Sequence, residues 1–232
     1  MNPISRVRGI QIVALSTSLL FCLLGTAQSA GIGGYFEYGS VDGEIDFLGG
    51  GDIDFDADQF GFGIAFDSNL ASDSLFNYRG TFGYRSSEHT FKTSLGDLEL
   101  DAEGFEMNHL LGFGIVRTNR FRVFIGPAIR VGVDVFDTVS GTDLVNIDFG
   151  VGPEIGINIH MAKHLTVSPW VAYQYHYLVQ VVDINGIGDD EFEGDEHVVK
   201  VGVSIFFRSA GDQFRARRAR HSQPVRTNQT TF

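Results

Sequence analysis

Residues 60–67 run Phe60-Gly61-Phe62-Gly63-Ile64-Ala65-Phe66-Asp67, bulky and apolar at every even position and small or charged at every odd one. A period of two marks a β-strand whose two faces meet different surroundings. The pattern recurs along the chain. Upstream, Ile32, Gly34, Phe36 and Tyr38 alternate with Gly33, Tyr35, Glu37 and Gly39. Downstream, Phe76, Tyr78, Phe82 and Tyr84 oppose Asn77, Arg79, Thr81 and Arg85, and Phe105, Met107, Leu111, Phe113 and Ile115 oppose Glu106, Asn108, Gly112 and Gly114. Val123, Ile125, Ile129, Val131 and Val133 alternate with Arg122, Gly126, Arg130, Gly132 and Asp134. Ile147, Phe149, Val151, Ile155 and Ile157 then face away from Asp148, Gly150, Gly152, Glu154 and Gly156. Two last stretches set Val167, Val171, Tyr173, Tyr175 and Tyr177 against Ser168, Trp170, Gln174 and His176, and Val199, Val201, Val203, Ile205 and Phe207 against Lys200, Gly202, Ser204 and Phe206.

Eight such strands suit either a soluble barrel or sandwich with its apolar face inward, or a membrane barrel with that face outward. The other face discriminates. It is rich in glycine and in ions of both signs, which suits the narrow polar lumen of an eight-stranded membrane barrel; a soluble barrel would gain little from so many glycines. The fold class expected is all-β, an eight-stranded antiparallel up-and-down transmembrane β-barrel. Short connectors at 68–74, 117–120 and 160–164 alternate with longer ones at 41–58, 87–103, 137–144 and 183–196. That is the turn-and-loop asymmetry of such barrels, and an even strand count puts both termini on the periplasmic side.

Arg6 and Arg8 precede an apolar run from Ile10 to Leu24 and a small-residue exit, so residues 1–29 read as a secretory signal peptide, 30–208 as the barrel and 209–232 as a basic, disordered periplasmic tail. Cys22, the only cysteine, leaves with the leader, which removes disulfide, thiolate-metal and cysteine chemistry from the mature chain. After the leader no window approaches the ~20 apolar residues of a spanning helix, so a membrane form must be a closed barrel. The formal charge of −12 becomes −14 without Arg6 and Arg8; residues 208–232 hold six arginines against Asp212, or +5, leaving about −19 on the rest. This is not the charge pattern of a nucleic-acid-binding protein.

In the last strand, Lys200, Gly202, Ile205 and Phe207 stand in the order polar, glycine, hydrophobic, aromatic. This resembles the C-terminal signal read by the barrel-assembly machinery, and with the leader and strand count the chain resembles the small outer-membrane barrels of the OmpA-transmembrane-domain, OmpX and OmpW kind. The resemblance implies a place in the cell outer membrane, contact with its lipids and lipopolysaccharide, and the assembly machinery as a partner during biogenesis. The 24-residue tail after Phe207 departs from the usual pattern.

The inward ions expected are Glu37, Asp67, Arg79, Arg85, Glu106, Arg122, Arg130, Asp134, Asp148, Glu154, His176 and Lys200. With both signs present they suit a mutually paired plug, or else a conducting path. Past the strand ends the polarity inverts. Carboxylates at 42, 44, 46, 54, 56, 58, 99, 101, 103, 191, 193 and 195 fall outward, while Ile45, Phe47, Ile53, Phe55, Phe91, Leu98, Leu100 and Phe192 fall inward. The sheet is therefore expected to continue into water with an apolar core of its own. The OmpW-like resemblance implies a hydrophobic small molecule as a ligand for that cluster. The outward carboxylates are candidates for divalent cations that bridge to lipopolysaccharide phosphates, or are simply solvated. No resident metal, cofactor or catalytic motif is read. His109, Ser86 and Glu88 share the outward face as a counterpart of lipid A-modifying sites, and His176 is a candidate partner for Glu154. The role expected is a structural or surface-interaction one; a narrow channel or hydrophobic-solute conduit is the alternative, and a lipid A-modifying enzyme the third reading.

Overall fold

The computed structural model describes residues 30–47, 51–70, 75–94, 96–118, 120–137, 142–184 and 189–208. The expected signal peptide and basic tail lie outside these residues. Eight strands form a closed barrel in chain order: β1 (Gly31–Phe47), β2 (Gly51–Asp67), β3 (Phe76–Thr93), β4 (Gly96–Arg117), β5 (Phe121–Phe136), β6 (Thr142–Ala162), β7 (Leu165–Ile184) and β8 (Asp189–Arg208). Each neighbour pair is antiparallel, and the β1–β8 seam runs from Gly31 opposite Arg208 to Asp46 opposite Glu193. Closure of the barrel leaves no free sheet edge, which a sheet in hydrocarbon requires.

The strands hold 16 to 22 residues, about twice what a crossing needs. The long loops expected at 41–58, 87–103, 137–144 and 183–196 are thus corrected: most of their residues belong to strands that pair well above the apolar belt. Ile45 pairs with Ile53 and Phe91 with Leu98. The physical reason is that alternation persists there with its polarity reversed, so the ladder still has a dry face to build on.

Outside, Ile32, Phe36, Ile64, Phe82, Phe149 and Val201 are all exposed, although they are among the most apolar side chains in the chain. Large aliphatics and phenylalanines around a whole barrel would not be left in water; hydrocarbon covers them. Tyr38, Tyr173, Tyr175 and Tyr177, each 42–50% exposed, stand toward the upper border of this belt, where a ring can keep its hydroxyl in the headgroup zone. Bulges between Gly114 and Val116 and between His160 and Ala162 break the alternation at the lower rim, which is why Ile115 and Val116 are exposed side by side.

Inside, glycine makes room. A Cβ on Gly202 would lie 2.6 Å from Cε2 of Trp170, and one on Gly61 2.9 Å from Cγ of Glu37, so small residues stand where long side chains cross the lumen. Phe124, which the alternation did not single out, also points inward and is fully buried over Gly156.

Candidate functional site

The lumen holds three tiers of ions beneath an apolar upper core, with smaller apolar clusters around Phe124 and Phe206 beside the lowest tier. Lowest, Asp67 accepts from Nε and Nη2 of Arg79 at 3.1 and 2.9 Å, and Arg79 also donates to Asn158. The Arg79 guanidinium lies over the rings of Phe124 and Phe206, at 4.6 and 5.0 Å from their centroids. Among the described residues Arg122 meets no carboxylate: it donates to the backbone carbonyls of Asn69 and Leu75. Glu154 accepts from Nδ2 of Asn108 at 3.1 Å.

In the middle tier, Arg130 donates to Glu37 at 2.7 Å and to Glu106 at 2.5 Å, while Nζ of Lys200 lies 2.9 Å from each of the same carboxylates. Above it, Arg85 pairs with Asp134 and Asp148, and reaches Glu106 at 3.8 Å. His176 meets Asp148 at 2.9 Å and Glu196 at 3.2 Å. The partners come from strands on opposite walls, β1 with β5 and β3 with β6, so the tiers bridge the lumen. All of these groups are buried.

Two sequence expectations are corrected here. His176 pairs with Asp148 and Glu196, not with Glu154, because Glu154 lies three inward positions below Asp148 on β6. His109, Ser86 and Glu88 share the outward face but do not converge: His109 is opposite Gly80, and Ser86 is opposite Glu103, roughly 20 Å further along β3. His109 instead accepts or donates at 2.6 Å with the hydroxyl of Tyr78 and stacks on its ring.

Over the ions sits the upper core: Val41, Ile45, Phe55, Ala57, Phe91, Ala102, Phe136, Leu144, Leu178 and Val198, with Ile53, Leu100 and Phe192 packed against it. Leu98 is a correction. It has the inward parity but is 50% exposed, since at the hairpin tip no opposite wall reaches its height. The Phe47 side chain lies outside the described residues. The alternation missed Glu196 and His89; continuing the inward parity of β8 back from Lys200, and of β3 on from Arg85, leads directly to both.

His89 is buried among Phe136, Phe55 and Phe91, its ring centroid 4.8 Å from that of Phe136, with Ser87 Oγ 2.9 Å from its Nε2. Burial, aided by Arg85, lowers its pKa to about 4. The unfolded chain takes up this proton near pH 6.5, so the stability associated with the neutral ring is complete above that pH and is lost as pH falls toward 4. Between pH 7 and 4.5 the wild type is expected to lose on the order of 3 kcal/mol more than His89→Phe in urea titrations of the folded barrel. Parallel pH profiles for the two proteins would show that the ring is hydrated.

On the outer wall of this upper part, like charges face one another: Asp42 opposite Asp56, Glu44 opposite Asp54 and Asp195, Asp46 opposite Asp52 and Glu193. Asp195 and its neighbours raise the pKa of Glu44. Lys92 reaches Asp56 at 2.6 Å, an exposed pair that contributes little.

Among solved structures the chain is similar to the outer membrane protein OprG from Pseudomonas aeruginosa, at 17% identity over 77% of this chain and 95% of that one, with a TM-score of 0.54. The fold is that of the small outer-membrane barrels. A second similarity is to the outer membrane protein AlkL in lipid bilayers, at 14% identity over 78% of this chain and 91% of that one, with a TM-score of 0.45. No family model and no curated protein matches the chain. For an outer-membrane barrel the belt described above is the lipid-facing surface, and the last strand carries Ile205 and Phe207 on it, with Lys200 and Gly202 turned to the lumen.

Proposed function

We propose that the protein is a non-enzymatic, closed outer-membrane barrel that holds a rigid acidic β-extension at the cell surface. The observation that carries this reading is the cross-lumen network. Arg130, Glu37, Glu106 and Lys200 meet from four strands, and the upper core packs on itself above them. An ion or a solute would have to break several charge-assisted hydrogen bonds in a dry interior before it passed.

In this reading the end opposite the termini is extracellular, Lys200, Gly202, Ile205 and Phe207 serve as the assembly signal, and residues 1–29 direct export. The paired carboxylates of β8, β1 and β2 meet the headgroup layer, where Ca²⁺ or Mg²⁺ act as counter-ions between them and lipopolysaccharide phosphates. Cross-strand like charges cost stability, which suits a surface kept for contact with a partner rather than for the fold.

The full chain reconstituted in planar bilayers is expected to give no conductance steps above the lipid baseline, and its liposomes are expected not to swell in small sugars. Steady openings, or uptake of an apolar solute that Phe55→Ser abolishes, would replace this reading with the conduit one.

A further inference from the structure

The three tiers do not carry equal charge. In the lowest, two cations, Arg79 and Arg122, stand with two carboxylates, Asp67 and Glu154, of which Arg79 and Asp67 are paired directly; in the middle, Arg130 and Lys200 are matched by Glu37 and Glu106. In the upper tier Arg85 stands against Asp134, Asp148 and Glu196, all three buried, so among the described residues that tier is short of two positive charges. Unmatched carboxylates at this depth are very costly.

The deficit falls where one imidazole is oddly placed. Nε2 of His176 is 3.3 Å from the side-chain amide of Gln174, which accepts from it in one orientation and donates to it in the other. Nδ1 of the same ring faces Oδ1 of Asp148, 2.9 Å away, and Oε1 of Glu196, 3.2 Å away. Three possible ligand atoms converge there, and positive charge at that point, carried by a proton or by a metal ion, makes the arrangement favourable. A second proton on His176 would supply one of the two missing charges; a divalent ion would supply both.

We propose that His176 Nδ1, Asp148 Oδ1 and Glu196 Oε1 bind a first-row divalent cation of the zinc type inside the barrel. The three atoms lie within 4.8 Å of one another. Bonds of about 2.0–2.1 Å in a tetrahedral site set ligand atoms roughly 3.3 Å apart, and the two carboxylate oxygens lie 2.9 and 3.2 Å from Nδ1, close to that spacing. One nitrogen and two carboxylates suit zinc or its neighbours, whereas Ca²⁺ and Mg²⁺ prefer larger sets of oxygens. The supporting groups are in place: Arg85 donates to the other oxygen of Asp148, and Gln174 orients the ring of His176. Leu178 stands one inward position above His176 in the upper core, so the ion is taken up as the barrel folds. The proposal is independent of the closed-lumen reading.

The test is to refold the full chain in detergent with Zn²⁺, pass it over a chelating column and count metal by mass spectrometry. One equivalent should remain per chain, its X-ray absorption spectrum showing one imidazole and two oxygen ligands, and Glu196→Gln and His176→Gln should each retain less than about a tenth of it. A wild-type protein that folds but keeps no zinc overturns the proposal. So does zinc kept equally by both variants, which would place it on the acidic exterior. If a variant does not fold, the wild-type count and the ligand spectrum decide alone.

Discussion

Arg130→Met is expected to lower the unfolding free energy by roughly 3–5 kcal/mol, because it leaves Glu37 and Glu106 sharing one ammonium in a buried site, with only the more distant Arg85, 3.8 Å from Glu106, beside it. Arg130 is fully buried and touches both carboxylates, and Lys200 already donates to both, so no other cation of that tier can take its place. Methionine fills much of the volume, so the loss reports charge more than cavity. Adding Glu37→Gln to the variant restores a one-to-one tier and should recover more than half of the loss, the coupling expected of groups in one network. Urea midpoints at constant slope measure both. A loss below about 1 kcal/mol would mean that water reaches the tier and screens it, and the closed-lumen reading would fall with the dry network.

Gly33→Val is expected to prevent closure. A Cβ at Gly33 would lie 2.7 Å from the carbonyl carbon of Ile205 and 2.9 Å from Cα of Phe206, and closer still to the Ile205 oxygen. These are backbone atoms of β8, which no rotamer can move aside. Gly33 is opposite Phe206 in the seam that joins the first strand to the last, so relief means parting the ladder there. Overpacking a core usually costs about 1–3 kcal/mol; opening a seam exposes unpaired backbone as well, and the cost should exceed that range. The compact band of unheated protein on a denaturing gel should disappear for Gly33→Val and persist for Gly51→Ala, where an added Cβ meets nothing within 4 Å. A normal compact band for Gly33→Val would show that the seam is looser than drawn.

The facing of nearly every strand residue was legible in the sequence. Tyr35, Glu37, Arg85, Arg130 and Lys200 read as inward and are buried, while Phe36, Ile64 and Val201 read as outward and are exposed. The reversal of polarity above the belt was legible as well, from Ile45 and Phe55 against Asp46 and Asp54. The partners were not. Inward parity alone offers Glu154 to His176 as readily as the Asp148 and Glu196 that it meets, and Glu196 stands in a stretch whose turn-like composition hides the strand. Leu98 carries the right parity at a height where the opposite wall has ended.

The sequence by itself determined the strand count, the antiparallel barrel and which side of each strand meets lipid, because a period of two is a local property of the backbone and hydrocarbon accepts only one kind of face. Only the tertiary structure decided which ion meets which across the lumen, how far the sheet climbs beyond the belt, and that the charge deficit gathers around His176. Those depend on strand tilt and stagger, which place residues such as Glu37 and Arg130, 93 positions apart, at one height. No local pattern records that stagger, since it is set by closing all eight strands at once.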